Sequence, residues 1–513
     1  MHARIGRREA VVGIGTLLAL RSANAAEMPQ RGGTLTVAMD LEPASLDPLF
    51  GNASSDRFAF NLFAENLVVQ AEDGSFQPML AESWETAADG GSILFRLRPG
   101  VRFHDGTAMD AEAVKFNLDR VIDPAVNARA RQFAGNLAGT DVVGPMQVRV
   151  RMKTPSAAFL SVLALEAGSI LSPTAVKALG ADFARKPVGT GPFKVTGWSG
   201  GRIESERFDG YWGKGADGKS LPYLDRVVVR VISNTAVKIL ELKAGTIQLG
   251  DSIQIKDFDQ IERDPNLTLL DTVQGTLQYM AFNVTRPPFD NLELRKAVSL
   301  AINRPALEKV VSRGQGIAAA GLEPPGSQAY GKDIRGHVLD LAAAKAAYAK
   351  SGHTGPLTLS VIQRDPDTQI AQILQSMLKA AGIELKVEVL ERQAWLDKVL
   401  GRTYQLGILR GTLPRPDPDL TFANYYGPAA KQNYSGFKEP EIAALVEKAA
   451  GELNADKRRA LYVEVQQRIL DSYYETYLLF RPNKQVRRNT LQGFAREFNV
   501  TWLYQGMWLK QGA

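Results

Sequence analysis

Hydrophobic and polar residues alternate along several stretches of the first half of the chain, and this pattern predicts strands. Strands are predicted at residues 34–39, 92–98, 193–198, 203–208 and 226–232. The turn Ser199-Gly200-Gly201 would join two of these strands as a hairpin. Asp110 is expected to cap a helix that extends to about Val121. The region from Gly189 to Val231 is therefore predicted to be all-β.

The second half of the chain alternates between the helical and the strand pattern. Helices are predicted at residues 235–244, 292–302, 340–350, 367–381, 393–400, 438–451 and 456–473, and strands at 357–362, 383–390 and 404–409. Between residues 357 and 409 the order is β-α-β-α-β. Strands that alternate with helices favour an α/β domain with a partly parallel sheet.

The composition is that of a globular protein and narrows the chemistry available. The chain has 513 residues, of which 45% are hydrophobic, and about three domains are expected at this length. It has no cysteine and four histidines, which excludes disulfides and thiolate chemistry and argues against a metal site. We expect no cofactor. The net charge of +6 comes from scattered lysines and arginines, so no nucleic-acid partner is expected.

The first residues have the pattern of an export signal. Arg4, Arg7 and Arg8 precede an apolar run at 10–20, and small residues follow, so residues 1–25 are predicted to be a signal peptide cleaved near Ala25. The arginine pair leaves the twin-arginine route open. A lipid-anchored bacterial protein needs a cysteine after its signal, and this chain has none. The mature protein is therefore predicted to be periplasmic and not a lipoprotein.

Two short motifs match catalytic patterns without the required context. Residues 213–220 match the phosphate-binding pattern G-x-x-x-x-G-K-S, but a strand rather than a helix is predicted after Lys219. Residues 197–201 match the G-x-S-x-G pattern of serine hydrolases around Ser199, but they lie between two strands. A surface loop and a hairpin turn are the preferred interpretations. A secreted serine hydrolase remains a distant alternative.

Several longer stretches together resemble the family 5 extracellular solute-binding proteins, the dipeptide, oligopeptide and nickel receptors of ABC importers. The resemblance follows the family's order along the mature chain. It rests on Leu80–Trp84, Leu94–Arg98, Gly100–Thr107, Ala111–Phe116, Pro187–Lys194, Tyr211-Trp212, Leu221–Asp225, Asn283–Asp290, Arg295–Ala297, Ala301–Asn303, Ala380–Ile383 and Pro416–Asp419.

This resemblance implies an α/β, bilobal fold like that of periplasmic binding proteins, of type II and the large three-domain variety. The first lobe would be discontinuous, with segments 26–63, 188–281 and 481–513; residues 64–187 would form an inserted domain and residues 282–480 an α/β lobe. Such receptors close on a ligand by hinge motion and catalyse nothing. The implied partners are a small-molecule or peptide ligand and an inner-membrane ABC permease, and the protein is expected to be a monomer.

Candidate ligand contacts come from segments that would face the cleft. Loops at the carboxyl ends of strands are the usual ligand sites of α/β sheets, and aromatic side chains there supply contact area. The candidates are the loop Ser45, Leu46 and Asp47 after the first strand, Trp395 on the helix before the last α/β strand, and, after that strand, Arg410, Arg415, Asp417, Asp419, Tyr425 and Tyr426.

One departure from the family pattern bears on the ligand. Peptide-binding relatives carry an aromatic and then an acidic residue shortly before the D-P-D triplet, and the acid meets the peptide's α-ammonium group. Here those positions are Gly411 and Pro414. Peptide or peptide-like cargo is still favoured, with an opine, a sugar, a metal chelate or a small anion as alternatives. Asp47, Asp417 or Asp419 could instead reach an amine.

Overall fold

The structure is a computed structural model that describes residues 28–51 and 56–510. The predicted signal peptide lies outside the described residues. The helices are α1 Asp56–Phe63, α2 Ala111–Ile122, α3 Phe159–Leu163, α4 Pro173–Leu179, α5 Thr235–Ala244, α6 Phe258–Glu262, α7 Leu292–Leu300, α8 Arg304–Val311, α9 Leu341–Ser351, α10 Asp367–Ala380, α11 Arg392–Leu400, α12 Asp419–Tyr426, α13 Pro440–Gly451 and α14 Ala455–Asp471.

The strands are β1 Thr34–Met39, β2 Glu65–Asn66, β3 Val68–Gln70, β4 Phe76–Pro78, β5 Ala81–Thr86, β6 Ser92–Leu97, β7 Leu137–Gly144, β8 Gln147–Met152, β9 Ser169–Ile170, β10 Phe193–Ser199, β11 Arg202–Arg207, β12 Arg226–Val231, β13 Leu249–Ile253, β14 Leu267–Phe282, β15 Ile317–Ala318, β16 Leu357–Ile362, β17 Leu385–Leu390, β18 Leu406–Leu413, β19 Glu475–Arg488, β20 Leu491–Gln492 and β21 Trp508–Leu509.

One mixed sheet of eleven strands runs through the molecule. Its order is β10-β11-β12-β1-β13-β19-β14-β18-β16-β17, with β15 paired to β19. Strand β1 is parallel to β12 and β13, and β16 is parallel to both β17 and β18. The hairpin β10–β11 and the partly parallel α/β region predicted from the sequence are both confirmed.

Two long strands, β14 and β19, join the halves of this sheet. Residues 267–271 of β14 pair with β19 beside β13, whereas residues 275–281 pair with β19 beside β18. The register shifts between Asp271 and Gly275, at the point where the strands pass from one half to the other. Sequence analysis predicted neither strand. The two strands stay paired with each other on both sides of this shift and so connect the two halves of the sheet.

The segment 64–187, predicted to form an inserted domain, contains a second antiparallel sheet of four strands. The order of this sheet is β5-β6-β8-β7, and α2 packs on it over a core that includes Phe95 and Phe103. The predicted cap of α2 is confirmed, because the Asp110 carboxylate accepts a hydrogen bond from the Ala113 amide at 2.9 Å. Helix α5 likewise ends at Gly245, whose φ of +79° suits glycine.

The two motifs discounted above occupy turns. Ser199 is exposed at the end of β10, where the chain turns into β11. Lys219 is exposed in a loop closed by a bridge between Lys214 and Ser220, and the strand β12 follows. Neither motif precedes a helix, so neither has the geometry of a nucleophile elbow or a phosphate loop.

Within residues 28–51 and 56–510, every helix is too short or too polar to cross a membrane. The same part of the chain contains no cluster of three or more histidine, aspartate or glutamate side chains arranged to hold a metal ion.

Candidate ligand-binding cleft

A cavity of about 360 Å³ lies where four distant parts of the chain meet. Its walls come from the N-terminal segment, the inserted domain, the α/β region and the C-terminal tail. The side chains that matter for its chemistry are Arg57, Phe133, Glu166, Arg410, Arg415 and Asn499. The cavity has the size and the mixed apolar and polar lining typical of a small-molecule site.

The α/β wall of the cavity follows from strand direction. Strands β16, β17 and β18 are parallel, so their carboxyl ends lie along one edge of the sheet. Arg410 was predicted to follow the last strand, but it lies within β18, three residues before the end of that strand, because the pairing with β14 continues to Leu413. Arg364 and Arg392 each follow the end of β16 or β17 by two residues. The arrangement brings three arginines to the edge where α/β sheets bind ligands.

A fourth arginine lies on β19, one of the two strands that connect the halves of the sheet. Thr276 of β14 is paired with Thr412 of β18 on one side and with Arg481 of β19 on the other. Arg481 therefore lies level with the carboxyl end of β18. We call Arg364, Arg392, Arg410 and Arg481 the arginine cluster.

The positive charges of the arginine cluster lie close enough together to repel one another. Burial, followed by the charge of Arg364, lowers the pKa of Arg410, and Arg481 and Arg392 lower it further. Asp367 opposes this shift; it is ion-paired with Arg364 at 2.9 Å. Burial also lowers the pKa of Arg481, whose Nε has no hydrogen-bond partner among the described residues. Arg410 and Arg481 thus lie among like charges, with Asp367 as the carboxylate that favours their charged forms, a setting that suits an anion. Of the four arginines, Arg410 lines the cavity.

The opposite wall carries an arginine that already has partners. Arg57 donates to Glu497 at 2.7 Å and lies 3.6 Å from Glu166. Thr501 also donates to Glu497, at 2.6 Å, which fixes the orientation of that carboxylate. The pKa of Arg57 is raised despite burial because Glu497 and Glu166 stabilise its charge. The Arg57 guanidinium is therefore already paired within the protein, and its role in this wall of the cavity is structural.

Tyr425 borders the cavity because residue 411 is glycine. A Cβ atom at Gly411 would lie 2.8 Å from the Tyr425 hydroxyl oxygen, so any side chain there would displace the tyrosine. Burial raises the pKa of Tyr425 to about 12, which keeps its hydroxyl neutral. The neighbouring Tyr426 instead faces the core, where its hydroxyl donates to Glu475 at 2.7 Å.

The predicted loop at residues 45–47 is held by contacts within its own turn and by the inserted domain. Leu46 is fully buried. Asp47 pairs with Arg120 at 2.5 Å and accepts a hydrogen bond from the Leu49 amide, which caps a short 3-10 helix. The hydroxyl of Ser45 accepts a hydrogen bond from the Asp47 amide at 2.9 Å. None of the three lines the cavity.

The two aspartates of the D-P-D triplet also have partners. Asp417 accepts two hydrogen bonds from Arg458, at 2.7 and 2.6 Å, and both side chains are almost completely buried. Burial, and then the charge of Asp417, raises the pKa of Asp419 to about 6, and Tyr462 donates to it at 3.3 Å. The triplet attaches the start of α12 to α14, and neither carboxylate lines the cavity.

Trp395 completes the set of predicted contacts. It is half-buried on α11 and packs against the apolar cluster that contains Tyr404 and Tyr425. Its Nε1 is buried and has no hydrogen-bond partner within the described part of the chain. Of the ten predicted contacts, the cavity brings together Arg410, Arg415 and Tyr425, and the other seven do not line it. Their roles as ligand contacts stay predictions.

Sequence analysis did not name several residues of the site. Arg57, Glu166 and Asn499 are far apart in the chain, and no local pattern marks them. Arg364 and Arg392 could have been found, because the rule that selected Arg410 applies equally to residues that follow two other parallel strands.

Comparison with known proteins agrees with this fold and cleft. Residues 75–433 match the family described as bacterial extracellular solute-binding proteins, family 5, middle. The chain belongs to this family. Proteins of the family are periplasmic receptors that work with ABC permeases, and the relatives found are substrate-binding proteins rather than enzymes.

Individual relatives differ in what they bind. The glutathione-binding protein GsiB of Escherichia coli (strain K12) is 30% identical over 393 residues, which is 76% of this chain and 75% of that protein. The structure of DppA from Helicobacter pylori in complex with peptide STSA has a TM-score of 0.78 and 25% identity, over 94% of this chain and 99% of that one. AgaA of A. tumefaciens R10, solved with agropinic acid, has a TM-score of 0.78, 26% identity and the same coverage.

Proposed function

We propose that this receptor binds a small acidic solute, peptide-like in size, whose anionic group is held by the arginine cluster. The observation that carries the proposal is the set of guanidinium groups at the carboxyl edge of β16, β17 and β18, where burial and like charges disfavour the charged form of Arg410 and Asp367 opposes this effect. A bound carboxylate would offset the burial and the like-charge repulsion that lower the pKa of Arg410 and Arg481.

The remainder of the solute would lie in the cavity beside Arg415 and Tyr425. These two residues are the predicted contacts that the geometry supports together with Arg410. The solutes named for the relatives are compatible with this proposal, because a peptide and agropinic acid both carry a carboxyl group. An acidic peptide or an acidic opine would satisfy the same cluster.

A free α-ammonium group has no evident carboxylate in this cavity. Glu166 is the acidic side chain that lines it among the described residues, and Arg57 is 3.6 Å away. Asp47 and Asp417 are paired with Arg120 and Arg458. We therefore expect recognition to depend on the acid and not on the amine.

We also propose that the chain is exported with cleavage near Ala25. The division into a discontinuous lobe, an inserted domain at 64–187 and an α/β lobe at 282–480 describes how the two sides of the cleft would move. The pairing of β14 with β19 supports this division, because these two strands connect the two sides of the cleft.

Calorimetric titration with matched solutes tests the proposal. Glutathione, a dipeptide mixture and an acidic opine would each be compared with their C-terminal or carboxyl amides and with their N-acetyl forms. We expect amidation to abolish binding and acetylation to leave it within a few-fold. Tight binding of an amide, or binding that is lost on acetylation, would contradict the proposal.

A further inference from the structure

The two sides of the cleft touch through a glutamine that sequence analysis did not select. Gln70 ends β3 and is only 3% exposed. Its Nε2 donates to the Gly74 carbonyl at 3.1 Å, within its own turn, and to the Pro416 carbonyl at 3.0 Å on the other side. Its backbone carbonyl accepts from the Phe498 amide at 2.9 Å. One residue thus connects three segments that are far apart in sequence.

The segment that receives this hydrogen bond is docked by a second contact. We call residues 414–420 the docking loop. Leu420 is 8% exposed and packs into the apolar core of the inserted domain, although it belongs to α12 on the opposite side. A third contact lies farther along, where the Ala157 amide donates to the Ala450 carbonyl at 3.2 Å.

The docking loop also contributes a charged side chain to the cavity. Arg415 lines the cavity and immediately precedes Pro416, whose carbonyl Gln70 binds. Gln70 and Pro416 share a small space with Leu165 and Asn499, and these two residues belong to the opposite cavity wall. Any opening that breaks the Gln70–Pro416 hydrogen bond would therefore move Arg415 away from that wall.

We propose that Gln70 is a positioning residue for closure: its side-chain amide holds the docking loop, and with it Arg415, against the inserted domain when the cleft is closed. A donor is required at this position, because the partner is a carbonyl oxygen. Glutamate has nearly the same shape but would place a carboxylate against that carbonyl. The inference concerns closure and holds whatever the charge of the solute.

The absence of cysteine allows a test that needs no ligand. The substitutions Ala157→Cys and Ala450→Cys place two thiols at the backbone contact between the two sides. The rate at which a fixed concentration of an added small-molecule thiol oxidant joins them in a disulfide reports how often the cleft is closed. The rate is measured in the mature full-length protein with Gln70 intact, with Gln70→Ala and with Gln70→Glu.

We expect the disulfide to form about fivefold more slowly in Gln70→Ala, the effect of losing one ordinary hydrogen bond from the closed form. In Gln70→Glu it should form more slowly still, because a carboxylate would face the Pro416 carbonyl. Gln77→Ala, an exposed glutamine of β4 in the same domain, is the matched control and should leave the rate unchanged. A second cysteine pair, Ser83→Cys and Arg96→Cys, joins paired strands within the inserted domain and should react equally in every variant.

The outcomes distinguish closure from folding. An unchanged rate for the 157–450 pair in the Gln70 variants would overturn the proposal. A slower rate that is matched by the 83–96 pair would also overturn it, because Gln70 would then support the fold of its own domain. If Gln70→Ala does not fold, Gln70→Glu retains the side-chain volume and decides the question.

Discussion

Replacing Arg410 by glutamine should weaken the binding of an acidic solute and, at the same time, stabilise the solute-free protein. Arg410 shares its surroundings with Arg364, Arg392 and Arg481, and burial and then the charges of these neighbours lower its pKa. Asp367 is ion-paired with Arg364 and also favours the charged forms of Arg410 and Arg481. Removal of one guanidinium therefore relieves repulsion when no anion is bound and removes a donor when one is.

The two effects differ in size. A hydrogen bond between charged partners contributes about 1.5–3 kcal/mol, so the dissociation constant should rise roughly 10- to 150-fold. The relief of repulsion should be below about 1 kcal/mol, because the Arg410 side chain, although surrounded by the protein around the cleft, is accessible to solvent and its charge is screened by salt. Glutamine keeps a polar side chain of similar reach, which limits other losses.

Calorimetry with the tightest acidic solute measures the first effect, and thermal unfolding at low and at high salt measures the second. We expect a higher midpoint for Arg410→Gln at low salt and a smaller difference at high salt. Arg459→Gln, on the exposed face of α14, is the control and should change neither. Unchanged affinity, together with a lower midpoint at every salt concentration, would refute the reasoning.

Three further predictions concern residues away from the cluster. Asp417→Asn should cost about 3–5 kcal/mol in thermal unfolding, since Arg458 would be left buried without its carboxylate; lost binding at an unchanged midpoint would place Asp417 in the site instead. Burial raises the pKa of Glu323 to about 7, so its contribution to stability is lost as pH rises through that value. The free energy of unfolding of Glu323→Gln should therefore exceed that of the parent by an amount that grows by up to about 3 kcal/mol from about pH 5 to about pH 8. A difference that stays constant with pH would contradict this prediction. Lys219→Ala and Ser199→Ala should change binding and melting by less than about 0.5 kcal/mol, because both side chains are exposed in turns; lost binding in either folded variant would reopen the motif concerned.

The local pattern of the sequence was sufficient for many elements of the fold. The limits predicted for α5 and β16 agree with the structure, because each segment has a clear period and an evident end. Strands β14 and β19 were missed. Each passes from one half of the sheet to the other through a shift in register, so neither side of these strands is consistently buried along its length.

The site could be predicted only in part. The strand-end rule found Arg410, and it would have found Arg364 and Arg392 had it been applied to every parallel strand. Asp47 and Asp417 were selected by position, but their partners, Arg120 and Arg458, lie 73 and 41 residues away and occupy both carboxylates. Such long-range pairing decides which polar residues remain available to a ligand, and no local pattern contains it.

The central claim is that this receptor holds a small acidic solute at the arginine cluster. Its most direct test is mass spectrometry of whatever remains bound after the protein is purified gently from the periplasm and then denatured. We predict one unmodified small molecule that bears a carboxylate or another anionic group and that is absent from Arg410→Gln purified in parallel. Recovery of a neutral or cationic solute in equal amounts from both proteins would contradict the account.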